Sequence, residues 1–215
     1  MRVNFWINTW SEGNIGFHRT EVHPALKKYW PEKDAGTAVL VPLCGKSRDL
    51  LWLEARGHDV IGVEFVESAV LDFFRENSLV WEKTVQYGHP CYRVCDRNIR
   101  LFVADFIRFA NDYSGRLIDS LYDRAALVAL PENMREDYVA ACRKLLTPAP
   151  RGLLVTMEYE PEAMEGPPFS VTTTEVDRLW AGQFTLVEQV DMLSSMPRAV
   201  ASGVQNLAEF LWVLR

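Results

Sequence analysis

The chain has 215 residues, 48% hydrophobic and 12% aromatic, with 23 Lys and Arg against 29 Asp and Glu for a formal charge of −6. Such a length suits one compact domain over residues 1–215, the composition excludes a disordered chain, and the acidic balance argues against nucleic acid as the main partner. Four scattered cysteines make no disulfide framework, and no apolar run approaches the roughly 20 residues that span a bilayer. The opening MRVNFWINTW has no long apolar core of the signal-peptide kind, so a cytoplasmic location is expected, with a monomer as the default state.

Residues 1–30 are crowded with aromatics: Phe5, Trp6, Trp10, Phe17, Tyr29 and Trp30. Residues 5–10 read as a short helix and residues 22–30 as a second one stopped at Pro31, with the turn-rich SEGNIG segment between them. These rings either plug one end of a sheet or form a helical lid that stacks on a flat ligand. Trp10 and Phe17, which flank SEGNIG, are the candidates for the second role.

The next stretch, TAVLVPLCGKSRDLLWLEARGHDVIGVE, organises the chain. Residues 38–41 are apolar and too short for a helix, so they read as a buried strand. A turn with Cys44, Gly45 and Lys46 follows, then leucines at helical spacing up to Gly57, then a second apolar run that ends on Glu64. In an open parallel sheet, ligands lie beyond the carboxyl ends of the strands, and an acidic residue about 20 positions after the first glycine can accept ribose hydroxyls. Glu64 lies 19 residues after Gly45. The lone Gly45 is not the G-x-G-x-x-G of a pyrophosphate site, so a nucleoside without a diphosphate fits better than NAD. S-adenosylmethionine is such a ligand. The alternative is a buried strand-helix-strand unit whose Gly and Glu serve the fold alone.

Residues 67–77 form an amphipathic helix, and residues 81–100 read as a hairpin or irregular insertion. The C-x3-C pair Cys91 and Cys95 has no further ligands at matching spacing, so no metal is expected. A third strand, 101–103, leads to Asp105 and Phe106, which could meet an adenine or simply cap the helix that follows. A fourth strand, 117–122, ends at Asp123 and Arg124, a charged pair at the functional rim. Helix 131–146 and strand 152–157 come next. The proline-rich residues 158–171 are a candidate substrate wall, and Thr172 with Glu175 forms a capping box. Strands 184–193 and 206–214 close the chain as an antiparallel pair, with Arg198 in the loop between them.

The predicted fold is α/β: a mostly parallel seven-stranded sheet with one antiparallel strand and helices on both faces. With an acidic residue closing the second strand, it matches the Rossmann-like class I methyltransferase layout at fold level.

FW-x3-W (residues 5–10), IGFH (15–18), PLCGKS (42–47), GHDVIGVE (57–64), YDRAALVAL (122–130) and GPPFSV (166–171) occur in an order that resembles the thiopurine S-methyltransferase family from about residue 5 to 213. The resemblance implies S-adenosylmethionine as methyl donor, S-adenosylhomocysteine as product, and a sulfur acceptor on an aromatic heterocycle. It also implies that Trp6, Trp10, Leu43, Gly45, Glu64, Asp105, Phe106 and Arg124 bind the cofactor. Phe17, Arg124 and Arg198 would meet the substrate, and the two arginines would favour the reacting thiolate. Acceptors based on selenium or tellurium, a non-catalytic cofactor-binding module, and an NAD-linked oxidoreductase are the alternatives.

Overall fold

Residues 3–13, 15–31 and 36–214 are described by the computed structural model of the protein. Met1 and Arg2 of the predicted 1–30 lid, and Asn14 of SEGNIG, lie outside them. Two helices, α1 (Val3–Ser11) and α2 (Pro24–Tyr29), come before the first strand, β1 (Ala38–Pro42). Then follow α3 (Asp49–Ala55), β2 (Asp59–Glu64), α4 (Glu67–Glu76), the hairpin β3 (Trp81–Gln86) and β4 (His89–Val94), and β5 (Ile99–Val103). The second half comprises α5 (Phe106–Asp112), β6 (Ile118–Asp123), α6 (Glu132–Leu145), β7 (Leu146–Tyr159), α7 (Thr173–Trp180), β8 (Phe184–Asp191), α8 (Pro197–Ala201) and β9 (Leu207–Leu214).

The strands form one sheet in the order β3-β4-β5-β2-β1-β6-β7-β9-β8. β5, β2, β1, β6 and β7 are parallel, and β9 is antiparallel to both β7 and β8. These are the seven predicted strands with their single reversed member. Among the described residues the count is nine, not seven, because residues 81–94 pair with each other and β4 then pairs antiparallel with β5. Every residue of β3 but the last is exposed, so that edge strand carries no buried alternation for a sequence reading to find.

All five residues of β1 are buried, as a parallel strand covered on both faces requires. Successive side chains serve opposite cores. Ala38 and Leu40 join the cluster under α5, α6 and α7, while Val39 and Val41 join the one under α2, α3 and α4. The order reverses at β1, which has β2 on one side and β6 on the other, and this opens a crevice at the strands' carboxyl ends.

Two helix starts refine the sequence reading. Asp105 does cap α5, accepting the Arg108 N–H at 3.0 Å. Thr172 accepts the Glu175 N–H at 3.1 Å, but the Glu175 carboxylate pairs with buried Arg135 at 2.6 Å, so the predicted capping box is only half made. At Gly152 of β7, a Cβ would lie 1.9 Å from the Leu121 carbonyl oxygen of β6. A backbone oxygen in a paired strand cannot give way, so Gly152→Ala is expected to cost more than about 3 kcal/mol, read as a large fall in the urea or thermal midpoint.

Candidate active site

The turn after β1 is built around the end of β2. Leu43 and Gly45 adopt φ of +47° and +52°, and the Cys44 N–H reaches back to the Val63 carbonyl at 3.2 Å. Gly62 makes this approach possible, since a Cβ there would meet Cys44 Sγ at 2.8 Å. The Glu64 carboxylate then joins two turns: Oε2 accepts the Gly45 N–H at 2.8 Å and Oε1 the Val66 N–H at 2.9 Å. Glu64 is buried, which pushes its carboxyl above the ordinary value, while the N–H donors of Val66 and Gly45 pull it back.

Beside this carboxylate lies a narrow cleft lined by Leu43, Val63, Phe65, Ala104, Asp105, Phe106, Ile107, Leu130, Met134 and Tyr138. Its walls are apolar apart from Asp105 and the Tyr138 hydroxyl. A flat heteroaromatic ring fits such walls, and hydroxyls next to it could donate to Glu64. The Gly45 N–H is committed to that carboxylate, and among the described residues no cation lines the cleft, so this donor set suits a nucleoside better than a pyrophosphate.

The aromatic segment roofs the turn. A Cβ on Gly45 would lie 3.0 Å from the Trp10 ring, so the indole rests on the bare backbone. Phe17 meets Trp10 at 5.5 Å and Trp6 at 5.6 Å between ring centroids, both edge to face. Arg124 donates to the Phe17 carbonyl at 3.3 and 3.4 Å, and its Nε lies 3.7 Å from Asp49 Oδ2. The His18 imidazole is held below its ordinary pKa by partial burial and by the Lys46 charge, with Glu76 opposing.

Of the residues singled out in the sequence, Trp6, Trp10, Phe17, Gly45, Glu64 and Arg124 are joined by these contacts, and Leu43, Asp105 and Phe106 line the adjoining cleft. Arg198 stands apart. It is exposed and donates to the Glu165 carbonyl at 3.2 Å, on the proline-rich loop that follows β7. That loop is fastened from below: the Phe169 N–H bonds the Val128 carbonyl at 2.6 Å, and Arg135 Nη2 the Ser170 carbonyl at 3.1 Å. Sequence reasoning passed over Asp49, Tyr122 and His18. Asp49 carries no pattern of its own, and only its place at the start of the helix after the turn could have drawn attention to it.

The family profile described as Thiopurine S-methyltransferase (TPMT) matches residues 1–215. Proteins named thiopurine S-methyltransferase from Pseudomonas fluorescens and Pseudomonas putida are 44% and 42% identical to this chain; the matches cover 100% and 97% of it, and 99% and 97% of those proteins. Among solved structures, a 1,6-didemethyltoxoflavin-N1-methyltransferase from Burkholderia thailandensis, with bound 1,6-didemethyltoxoflavin and S-adenosylhomocysteine, superposes with a TM-score of 0.61 at 16% identity. That superposition covers 99% of this chain and 86% of the other, and it shows a shared fold.

Asp123, the last residue of β6, is buried and accepts the Ala126 and Leu127 N–H groups and the Tyr138 hydroxyl. Burial raises its carboxyl from 3.8 to about 6, against the pull of these donors. Its contribution to stability is therefore complete below the unfolded value of 3.8 and is lost as pH rises through about 6. Urea melts should show Asp123→Asn gaining on the parent chain by up to about 3 kcal/mol between pH about 4 and about 7.

Proposed function

The chain belongs to the thiopurine S-methyltransferase family, and from that premise we propose that it transfers the methyl group of S-adenosylmethionine to the sulfur of aromatic heterocyclic thiols such as thiopurines. The observation that carries this reading is the buried Glu64 carboxylate beside a flat apolar cleft, under a tryptophan that rests on Gly45. Asp105 and Phe106 hold the adenine, Glu64 accepts the ribose hydroxyls, and Leu43, in the turn under Trp10, meets the methionine portion. Trp6 and Trp10 cover that portion.

When bound, S-adenosylmethionine supplies a methyl carbon made electrophilic by a cationic sulfur. The chain's own residues align the acceptor and keep it dry. Phe17 stacks on the acceptor ring. The guanidinium of Arg124 reaches the acceptor sulfur and favours its thiolate, and Arg198 supplies a second positive charge from the wall formed by the proline-rich loop. Heteroaromatic thiols ionise readily, so this charge replaces a strong general base. Alignment supplies most of the acceleration, because an oriented pair reaches effective molarities of about 10⁵ M or more. The aromatic roof helps as well: charge is neutralised in the displacement, and water would favour the charged reactants. The four unpaired cysteines are in keeping with a reducing cytoplasm, and we take the chain to work there as a single-domain monomer.

Labelled S-adenosylmethionine offered with a panel of thiols, selenols and alcohols tests the assignment. Heteroaromatic thiols should be methylated with the highest kcat/KM. Arg124→Ala and Arg198→Ala should each lower that value and move the acidic limb of the kcat pH profile to higher pH, since the bound thiolate loses its positive neighbour. Unchanged profiles would remove the arginines from the reaction. Calorimetry of Glu64→Gln should show S-adenosylmethionine binding weakened by at least about tenfold, the worth of one hydrogen bond to a charged group. Its melting temperature should also fall, because the amide cannot accept both backbone N–H groups that the carboxylate accepts.

A further inference from the structure

Asp49 is 2% exposed, lies at the first position of α3, and sits at the centre of the groups that hold the lid. Its Oδ1 accepts the His23 N–H at 2.9 Å, and its Oδ2 accepts the Tyr122 hydroxyl at 2.8 Å while facing Arg124 Nε at 3.7 Å. Arg124 in turn holds the Phe17 carbonyl, and Arg48 holds the Thr20 carbonyl at 3.2 Å. The lid segment of residues 17–23 is thus fastened at its tip, middle and base. Tip and base converge on one buried carboxylate.

Nothing in α3 itself needs this arrangement. A carboxylate at a helix N-terminus is favourable wherever it points, and an exposed one would serve the helix equally well. Here it is instead withdrawn from water and shared among the lid, β6 and a guanidinium. A buried acceptor with three donors around it has one low-energy orientation, and it passes that orientation to whatever it pairs with.

We infer that Asp49 is a positioning residue for methyl transfer. It holds the Arg124 guanidinium in a single pose and ties that pose to the position of Phe17, so that the cation and the stacking ring reach the acceptor together. The inference rests on the reading of Arg124 given above. Asp49 itself touches neither the acceptor nor the cleft, and its effect passes through Arg124. In Asp49→Asn the amide still accepts from His23 on one side, but on the other it turns an N–H group toward the Tyr122 hydroxyl and the guanidinium, which releases Arg124.

A double-mutant cycle on the full chain decides the matter. Asp49→Asn, Arg124→Ala and the double variant are compared by kcat and KM for a heteroaromatic thiol at saturating S-adenosylmethionine. Asp49→Asn should lower kcat/KM roughly tenfold to a hundredfold, as expected for a misplaced reacting partner, and the loss should appear in kcat. The double variant should be no worse than Arg124→Ala alone, within about twofold. Asp49→Glu, which keeps the charge, should recover part of the lost kcat and takes the place of Asp49→Asn in the cycle if that protein does not fold. Two results would overturn the coupling while leaving the arginine's role intact: losses that multiply in the double variant, or an Asp49→Asn protein as active as the parent beside an impaired Arg124→Ala. An unimpaired Arg124→Ala would overturn the arginine's role, and the coupling with it.

Discussion

One buried carboxylate at the end of β2 holds the functional end of the sheet together. Glu64 accepts the backbone N–H groups of Gly45 and Val66, one on each of two adjacent strand-to-helix turns. Both donors would otherwise be buried and unpaired, at about 1–3 kcal/mol each. The group proposed to receive a ribose therefore also sets the course of the backbone around it. Its two oxygens retain lone pairs for further donors, so both duties fit one side chain.

The site then forms where two halves of different origin meet. The cleft belongs to the sheet and to α5 and α6, and its shape follows from strand order. The roof comes from the amino-terminal segment, whose rings contact the turn through Trp10 and one another through Phe17. Rings alone would not hold such a segment in register, since an edge-to-face pair contributes only about 0.5–1.5 kcal/mol. The directional contacts come from backbone groups of residues 17–23 meeting Arg48, Asp49 and Arg124. Arg124 thereby has two tasks: its guanidinium spans the Phe17 carbonyl and the buried Asp49 carboxylate, and it is also the cation proposed to meet the acceptor.

Much of this was legible in the residues. Short apolar runs that are buried on both faces, separated by helical spacing and closed by Gly or Pro, identify parallel strands without further information, and Glu64 declares itself by ending such a run. The hairpin of β3 and β4 was not legible as part of the sheet, because its outer strand buries almost nothing and pattern reading depends on burial. The Glu175 carboxylate illustrates a second limit: local spacing predicts a partner at Thr172, but a buried guanidinium 40 positions away offers a stronger one. Asp49 marks the third. Its partners at positions 23, 122 and 124 come together only through the crossover of β1 and β6, and no local pattern encodes that meeting.

The outer borders of the sheet have a consequence for the molecule among its neighbours. β3 and β8 each end the hydrogen-bonded ladder, and each carries charge there: Glu82 faces Arg93 across the hairpin, Lys83 pairs with Glu67, and Glu188 pairs with Lys28. A second copy adding a strand at either margin would have to strip water from these ions, even though Val80 and Val85 stand out apolar beside one of them. The pairs contribute little to holding one copy folded, being exposed, but they act as guards against intermolecular ladder growth.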